Sequence, residues 1–238
     1  MIKANRCCII LFFSLLTGMV SAQIADNTYL HDLKEELKTK WPHNRTINLI
    51  FHGHSVPSGY STKGVVDRLG AYPFLTLNDI NNNYPYAVVN SITTSIGGEH
   101  AEQGAQRIDE VLSHNPDVVF IDYALNDRSL GLEKAKEAWE SMIIELLDQN
   151  VKVILLTPTP DIREDITSSE SKLALHSELI RALAKKYRTG LVDSYQYFQQ
   201  LNNKLNLEGF MAQNNHINSK GHRLVANLIF KNYFSWEN

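Results

Sequence analysis

Apolar positions along this 238-residue chain follow two rhythms that take turns. Short, continuously apolar runs rich in β-branched residues stand at "TINLIFHG" (46–53), "YAVVNSI" (86–92), "DVVFIDYA" (117–124), "VKVILLTP" (151–158) and "TGLVDS" (189–194). Runs of this length read as strands, and the lack of polar alternation predicts that both faces of most of them are covered. Between them the period lengthens. Leu132, Ala135, Trp139, Met142, Ile143, Leu146 and Leu147 make one helical stripe, and "SKLALHSELIRALAKKY" (171–187) makes another that ends before Gly190. A last helix is expected from its cap Asn218, burying Leu224, Val225, Leu228 and Ile229. Leu30, Leu33, Leu37 and Trp41 predict a further helix over 27–41, ahead of the main core. Strands alternating with helices imply an α/β fold, a doubly wound parallel sheet with helices on both faces.

The first 22 residues break the pattern. Lys3 and Arg6, an apolar run to Leu16, and small residues at Ser21 and Ala22 read as a secretory signal peptide, so export to the periplasm or the exterior is expected. Thr17 and Gly18 interrupt the run too early for a membrane anchor. Residues 23–238 are expected to form a single domain. Both cysteines, Cys7 and Cys8, lie in the leader, so the mature chain would have no disulfide and no thiol nucleophile. Without Lys3 and Arg6 the balance is 21 basic against 26 acidic residues, about −5 and interspersed. That charge argues against nucleic acid and other polyphosphates as partners and favours a neutral small-molecule or glycan substrate, with no membrane contact once the leader is gone.

In a doubly wound sheet the chemistry gathers just beyond the carboxyl ends of the strands. Four stretches stand there. "HGHSVPSG" puts Ser55 between a strand end and a glycine-containing turn. "SIGGEHAEQG" offers bare backbone N–H groups where a helix opens. "YALND" offers the Asn126 amide. "AQNNHINSKG" puts His216 in a loop before the last helix. A nucleophile, a base and hydrogen-bond donors for a developing oxyanion are the parts that acyl transfer to water requires. His52 and His54 also form an H-x-H with zinc-ligand spacing. No further ligand follows among Ser55, Val56, Pro57 and Ser58, so no metal site and no cofactor are expected; His52 reads as a hydrogen-bonded core residue and His54 as lining the pocket.

These four stretches, in this order, resemble the SGNH (GDSL) hydrolases, secreted and intracellular serine esterases and lipases with a flavodoxin-like three-layer α/β/α sandwich around a five-stranded, mostly parallel sheet. The likeness runs from about Thr46 to the final helix. It implies that Ser55 is the nucleophile, that His216 is the base, and that Ser55 N–H, Gly98 N–H and Asn126 form the oxyanion hole. The implied reaction is hydrolysis of carboxylic esters, with short acyl groups on carbohydrate as the expected substrate. Lipase, lysophospholipase or thioesterase activity, or a catalytically impaired binding role, are the alternatives.

Three departures from the family pattern matter. His54 replaces the aspartate before the nucleophile, Ala124 replaces a glycine, and Gln213 stands where the triad acid is expected. The last leaves three possibilities: a Ser–His dyad oriented by Gln213 or a backbone carbonyl, a carboxylate from elsewhere such as Glu208, or a silent site. Tyr60, Tyr72, Tyr123 and Phe210 are candidate sugar-stacking residues. Glu99 reads as a helix-dipole partner and Asp127 and Asp193 as structural braces.

Overall fold

The computed structural model describes residues 28–202 and 205–236. The leader lies outside the described residues. In chain order the elements are α1 His31–Leu37, β1 Thr46–Gly53, α2 Tyr72–Asn83, β2 Val88–Thr93, α3 Ala101–Ala105, α4 Ile108–Ser113, β3 Val118–Asp122 and α5 Leu132–Asp148. Then come β4 Lys152–Leu156, α6 Lys172–Tyr187, β5 Gly190–Val192, α7 Ser194–Asn202, β6 Met211–Gln213, β7 His216–Ile217 and α8 Ser219–Ile229.

The first five strands pair in parallel in the order β2-β1-β3-β4-β5. Alternation of side chains along each strand divides the core into two layers. Leu49, Phe51, Val118, Phe120, Ile154 and Leu156 pack on one face with α1, α2, α7 and α8. Ile50, Val119, Ile121, Val153 and Leu155 pack on the other with the Trp139, Met142 and Ile143 stripe of α5 and the Ile180, Leu183 and Ala184 stripe of α6. Every strand predicted from its apolar run is present, in a three-layer α/β/α arrangement.

Several features differ from the sequence expectation, among them the helices α4 and α7, which no predicted stripe marks. The first helix stops at Leu37, and Trp41 is 84% exposed, because Trp41 precedes Pro42, whose ring disfavours helical geometry in the residue before it. The α2 helix was not anticipated: its Asn-rich sequence "YPFLTLNDINNN" carries little helical signal, and it is held by the burial of Tyr72, Thr76 and Ile80. His216 lies in a strand rather than a loop, since β6 and β7 form a two-stranded antiparallel ribbon. The adjacent Asn214-Asn215 pair supplies its tight turn.

Candidate active site

β1 ends at Gly53, opposite Asp122 of β3. The strands approach so closely that a Cβ on Gly53 would lie 2.4 Å from the Asp122 carbonyl oxygen, so the chain turns out of the sheet at the one residue that fits. The following turn is closed by Gly59 N–H to Val56 C=O at 2.9 Å and Tyr60 N–H to Ser55 C=O at 3.0 Å. Ser55 sits within it, 8% exposed. The stretch after β2 is sewn to this turn by Ile96 N–H to Gly53 C=O at 3.0 Å, with the Ser58 hydroxyl 2.9 Å from Ser95 C=O.

Gly98 has φ +86°, a left-handed conformation that glycine adopts without penalty. Asn126 donates from Nδ2 to Glu99 C=O at 2.8 Å, placing its amide against the Gly98–Glu99 turn. Asp127, fully buried, accepts from Ala101 N–H at 2.7 Å and from Trp139 Nε1 at 2.7 Å, which locks the Asn126 loop to the start of α3. Burial pushes its carboxyl up to about 6, against the pull of those two bonds. Among the described residues, neither Ser55 N–H nor Gly98 N–H donates a hydrogen bond within the fold.

The β6–β7 ribbon brings the histidine from the far end of the chain. Met211 pairs with Ile217 and Gln213 with His216. Asn218 fixes the ribbon to α8, accepting from Lys220 N–H at 2.9 Å and Gly221 N–H at 3.2 Å. Its amide also donates to Gly209 C=O at 3.0 Å. His216 Nε2 thereby lies 2.8 Å from Ser55 Oγ, and the Gln213 side-chain amide contacts Nδ1. Tyr60 lies nearly parallel to the His216 ring, 6.5 Å between centroids. Burial, then the neighbouring His54, hold His216 below the ordinary histidine value, while Asp161 pulls the other way.

The profile of the GDSL-like Lipase/Acylhydrolase family matches residues 51–224. The chain belongs to this family and is an ester hydrolase. No curated protein matches it. Among solved structures it is similar to the acetyl xylan esterase AlAXEase, 27% identical with a TM-score of 0.67, over 78% of this chain and 98% of that one. It is also similar to Axe2, an acetylxylan esterase from Geobacillus stearothermophilus, 18% identical with a TM-score of 0.69, over 78% and 93%. A lipase/acylhydrolase from Enterococcus faecalis is 23% identical with a TM-score of 0.64, over 78% and 94%. At the last two identities the likeness is one of fold.

Against this GDSL background, the sequence-predicted residues Ser55, Gly98, Asn126, His216 and Gln213 all fall at one end of the sheet. Others are placed differently. His54 does not line the pocket: its ring is fully buried and faces Asp122 at 3.4 Å. Glu208 is exposed in a 3-10 turn with no bond to His216 among the described residues, so it is not a substitute acid. Tyr72 and Tyr123 are completely buried and Phe210 packs against the core, which leaves Tyr60 as the aromatic at the site. His52 bonds Thr94 Oγ1 at 2.9 Å and Gly104 C=O at 3.1 Å, and burial lowers it to about 4. Glu99 pairs with Arg107 at 2.6 Å, a more specific partner than a helix dipole.

Sequence reasoning missed Asp122 behind the nucleophile, and Tyr72, a sugar-stacking candidate by sequence, instead donates to Asp122. Asp122 is the last residue of β3, immediately before the "YALND" stretch that supplies Asn126, and its apolar strand neighbours give it no local signal. It also missed Asp161, which is buried, paired with Arg128 at 3.0 Å, and linked to the histidine ribbon by Ile162 N–H to Asn214 C=O at 2.9 Å.

Proposed function

We propose that this chain is an exported, single-domain serine esterase that removes short acyl groups, acetyl above all, from carbohydrate. The observation that carries the reading is the 2.8 Å approach of His216 Nε2 to Ser55 Oγ across 161 residues of sequence. Ser55 attacks the ester carbonyl as His216 takes its proton. The oxyanion forms toward Ser55 N–H, Gly98 N–H and the second Asn126 amide proton. Collapse expels the alcohol, to which His216 returns the proton, and water repeats the sequence on the acyl-enzyme. For His216 to act as base, its ring proton must sit on Nδ1. The Gln213 amide must then turn its Oε1 to that proton, the orientation opposite to one in which its nitrogen donates.

Support for the substrate comes from two sources. The GDSL neighbours AlAXEase and Axe2 are acetyl xylan esterases. A cleft of about 280 Å³ that shares Ser58 and Tyr60 with the site is also lined by Arg68, Ser95 and Gly97, a polar and aromatic surface suited to a sugar. A longer acyl chain is the second reading, favoured by exposed Val65, Val66, Leu69 and Ile96 near that cleft. Export rests on the pattern of residues 1–22, and a mature N-terminus at Gln23 by mass spectrometry checks it.

Purified protein is expected to hydrolyse p-nitrophenyl acetate, to prefer acetate over palmitate in a chain-length series, and to release acetate from acetylated xylo-oligosaccharides. A fluorophosphonate probe is expected to label Ser55. No hydrolysis together with no labelling would sink the esterase reading, and a preference for palmitate would replace it with the lipase reading.

A further inference from the structure

A second histidine–carboxylate pair lies behind the nucleophile, unused by the ester chemistry. His54 Nδ1 accepts the Val56 N–H at 3.2 Å, so the proton of a neutral ring sits on Nε2. Nε2 faces Asp122 Oδ1 at 3.4 Å, a contact longer than a formed hydrogen bond, and neither atom has a hydrogen-bond partner among the described residues. Both side chains are almost completely removed from water. The other carboxylate oxygen accepts from the Tyr72 hydroxyl at 2.9 Å, which keeps Asp122 from swinging away. Burial, and the Asp122 charge after it, push the Tyr72 phenol well above its ordinary value, so it stays a donor.

Histidine Nδ1 and an aspartate Oδ are both bonded to Cγ. Each is therefore placed to accept an N–H two residues ahead, as in an Asx turn. Histidine does this in only one of its three protonation forms, because the Nδ1–H tautomer and the imidazolium would set one N–H against another. A carboxylate facing Nε2 disfavours the Nδ1–H tautomer, and the Val56 N–H facing Nδ1 disfavours the imidazolium, which leaves the form that works. We infer that Asp122, acting through His54, positions the nucleophile turn, holding Val56 N–H and with it the backbone of Ser55. The two are positioning residues, and neither touches substrate. A carboxylate at position 54 would face Asp122 in a place removed from solvent, so the two acids are alternatives: here the acid sits on β3 and the imidazole carries its influence to the turn.

The kinetic arm of the test rests on the esterase reading and uses p-nitrophenyl acetate. His54→Ala is expected to lower kcat about 10²-fold at nearly constant KM, the cost of a displacement of about 1 Å at the reacting atom. His54→Asn, whose side-chain oxygen can still accept Val56 N–H, is expected to restore most of that loss. His54→Asp is expected to be as poor as His54→Ala, and His54→Asp/Asp122→Asn to recover about tenfold or more, since the pair is coupled. A folded His54→Ala variant with unchanged kcat, or a double variant no better than His54→Asp, overturns the inference. A second arm needs no activity. ¹⁵N shifts of the wild-type His54 ring are expected to report a proton on Nε2 alone, and a proton on Nδ1 overturns the inference. If wild type hydrolyses no ester, the function fails while this arm still decides the positioning.

Discussion

Replacing Gln213 by glutamate adds one negative charge at the His216 Nδ1 contact and almost no volume, which isolates the charge that this GDSL chain lacks. A carboxylate in contact with the ring puts opposite charges about 4 Å apart once His216 is protonated, worth about 4 kcal/mol at an effective permittivity of about 20. His216 is only half-buried, and Asp161 already pulls its proton affinity upward, so solvent screening and repulsion remove about half or more of that. The remaining ~1.5–2 kcal/mol is about one unit of pKa and about tenfold in rate if the imidazolium is fully formed in the transition state. Wild-type kcat/KM is expected to hold its plateau below pH 6.5, because burial depresses the base. In Gln213→Glu the acid limb should move up by about one pH unit and the plateau of kcat rise about tenfold. The assay is p-nitrophenyl acetate hydrolysis between pH 4 and pH 8. An acid limb that stays in place would refute the electrostatic argument. A limb that moves without a gain in kcat would show that proton transfer does not limit turnover.

Asn126→Ala removes one donor aimed at the oxyanion, and kcat is expected to fall by about 10²–10³ with KM little changed; a change confined to KM would place Asn126 in ground-state binding instead. Asp127 ionises in the folded protein only near 6, against 3.8 for the ordinary group. Between those values the native state holds the extra proton, so the stability from this group is full below pH 3.8 and is lost as pH rises through 6. The unfolding free energy of wild type minus that of Asp127→Asn, from urea titrations, is expected to fall by about 2.4 kcal/mol between pH 4 and pH 7; a flat or rising difference would count against the burial of an unpaired charge.

How much was legible depended on where the constraint lay. The inner strands are buried on both faces and must be apolar throughout, while the half-exposed edge strand β2 was marked by its β-branched run alone. The rule that sites lie beyond strand ends then picked out Ser55, the Gly-Gly stretch and Asn126, and the family resemblance narrowed the glycines to Gly98. His216 was legible as the histidine just ahead of the last helix, and the resemblance of "QNNHINSKG" to the family's last block gave it the role of base. What failed was everything decided by packing between distant segments. The α2 helix is weak in pattern and is held by Tyr72, whose hydroxyl reaches Asp122. Nothing local distinguishes a His54 that points inward from one that lines a cleft. Glu208 was nominated by proximity in sequence to His216, and a 3-10 turn carries it away from the ring.

Two features of its surroundings act on His216. A glutamine at Nδ1 brings no charge to an imidazolium there, and burial lowers the proton affinity of the ring. The result is a base that is neutral at lower pH but gains less from its surroundings when it takes the Ser55 proton. On the proposed mechanism, catalytic power then leans on the proposed oxyanion donors: Ser55 N–H and Gly98 N–H have no competing acceptor within the described fold, and Asp127 holds Asn126 to the same turn. Such a site is best matched to esters with good leaving alcohols or to mildly acidic surroundings, where a more basic histidine would already be protonated.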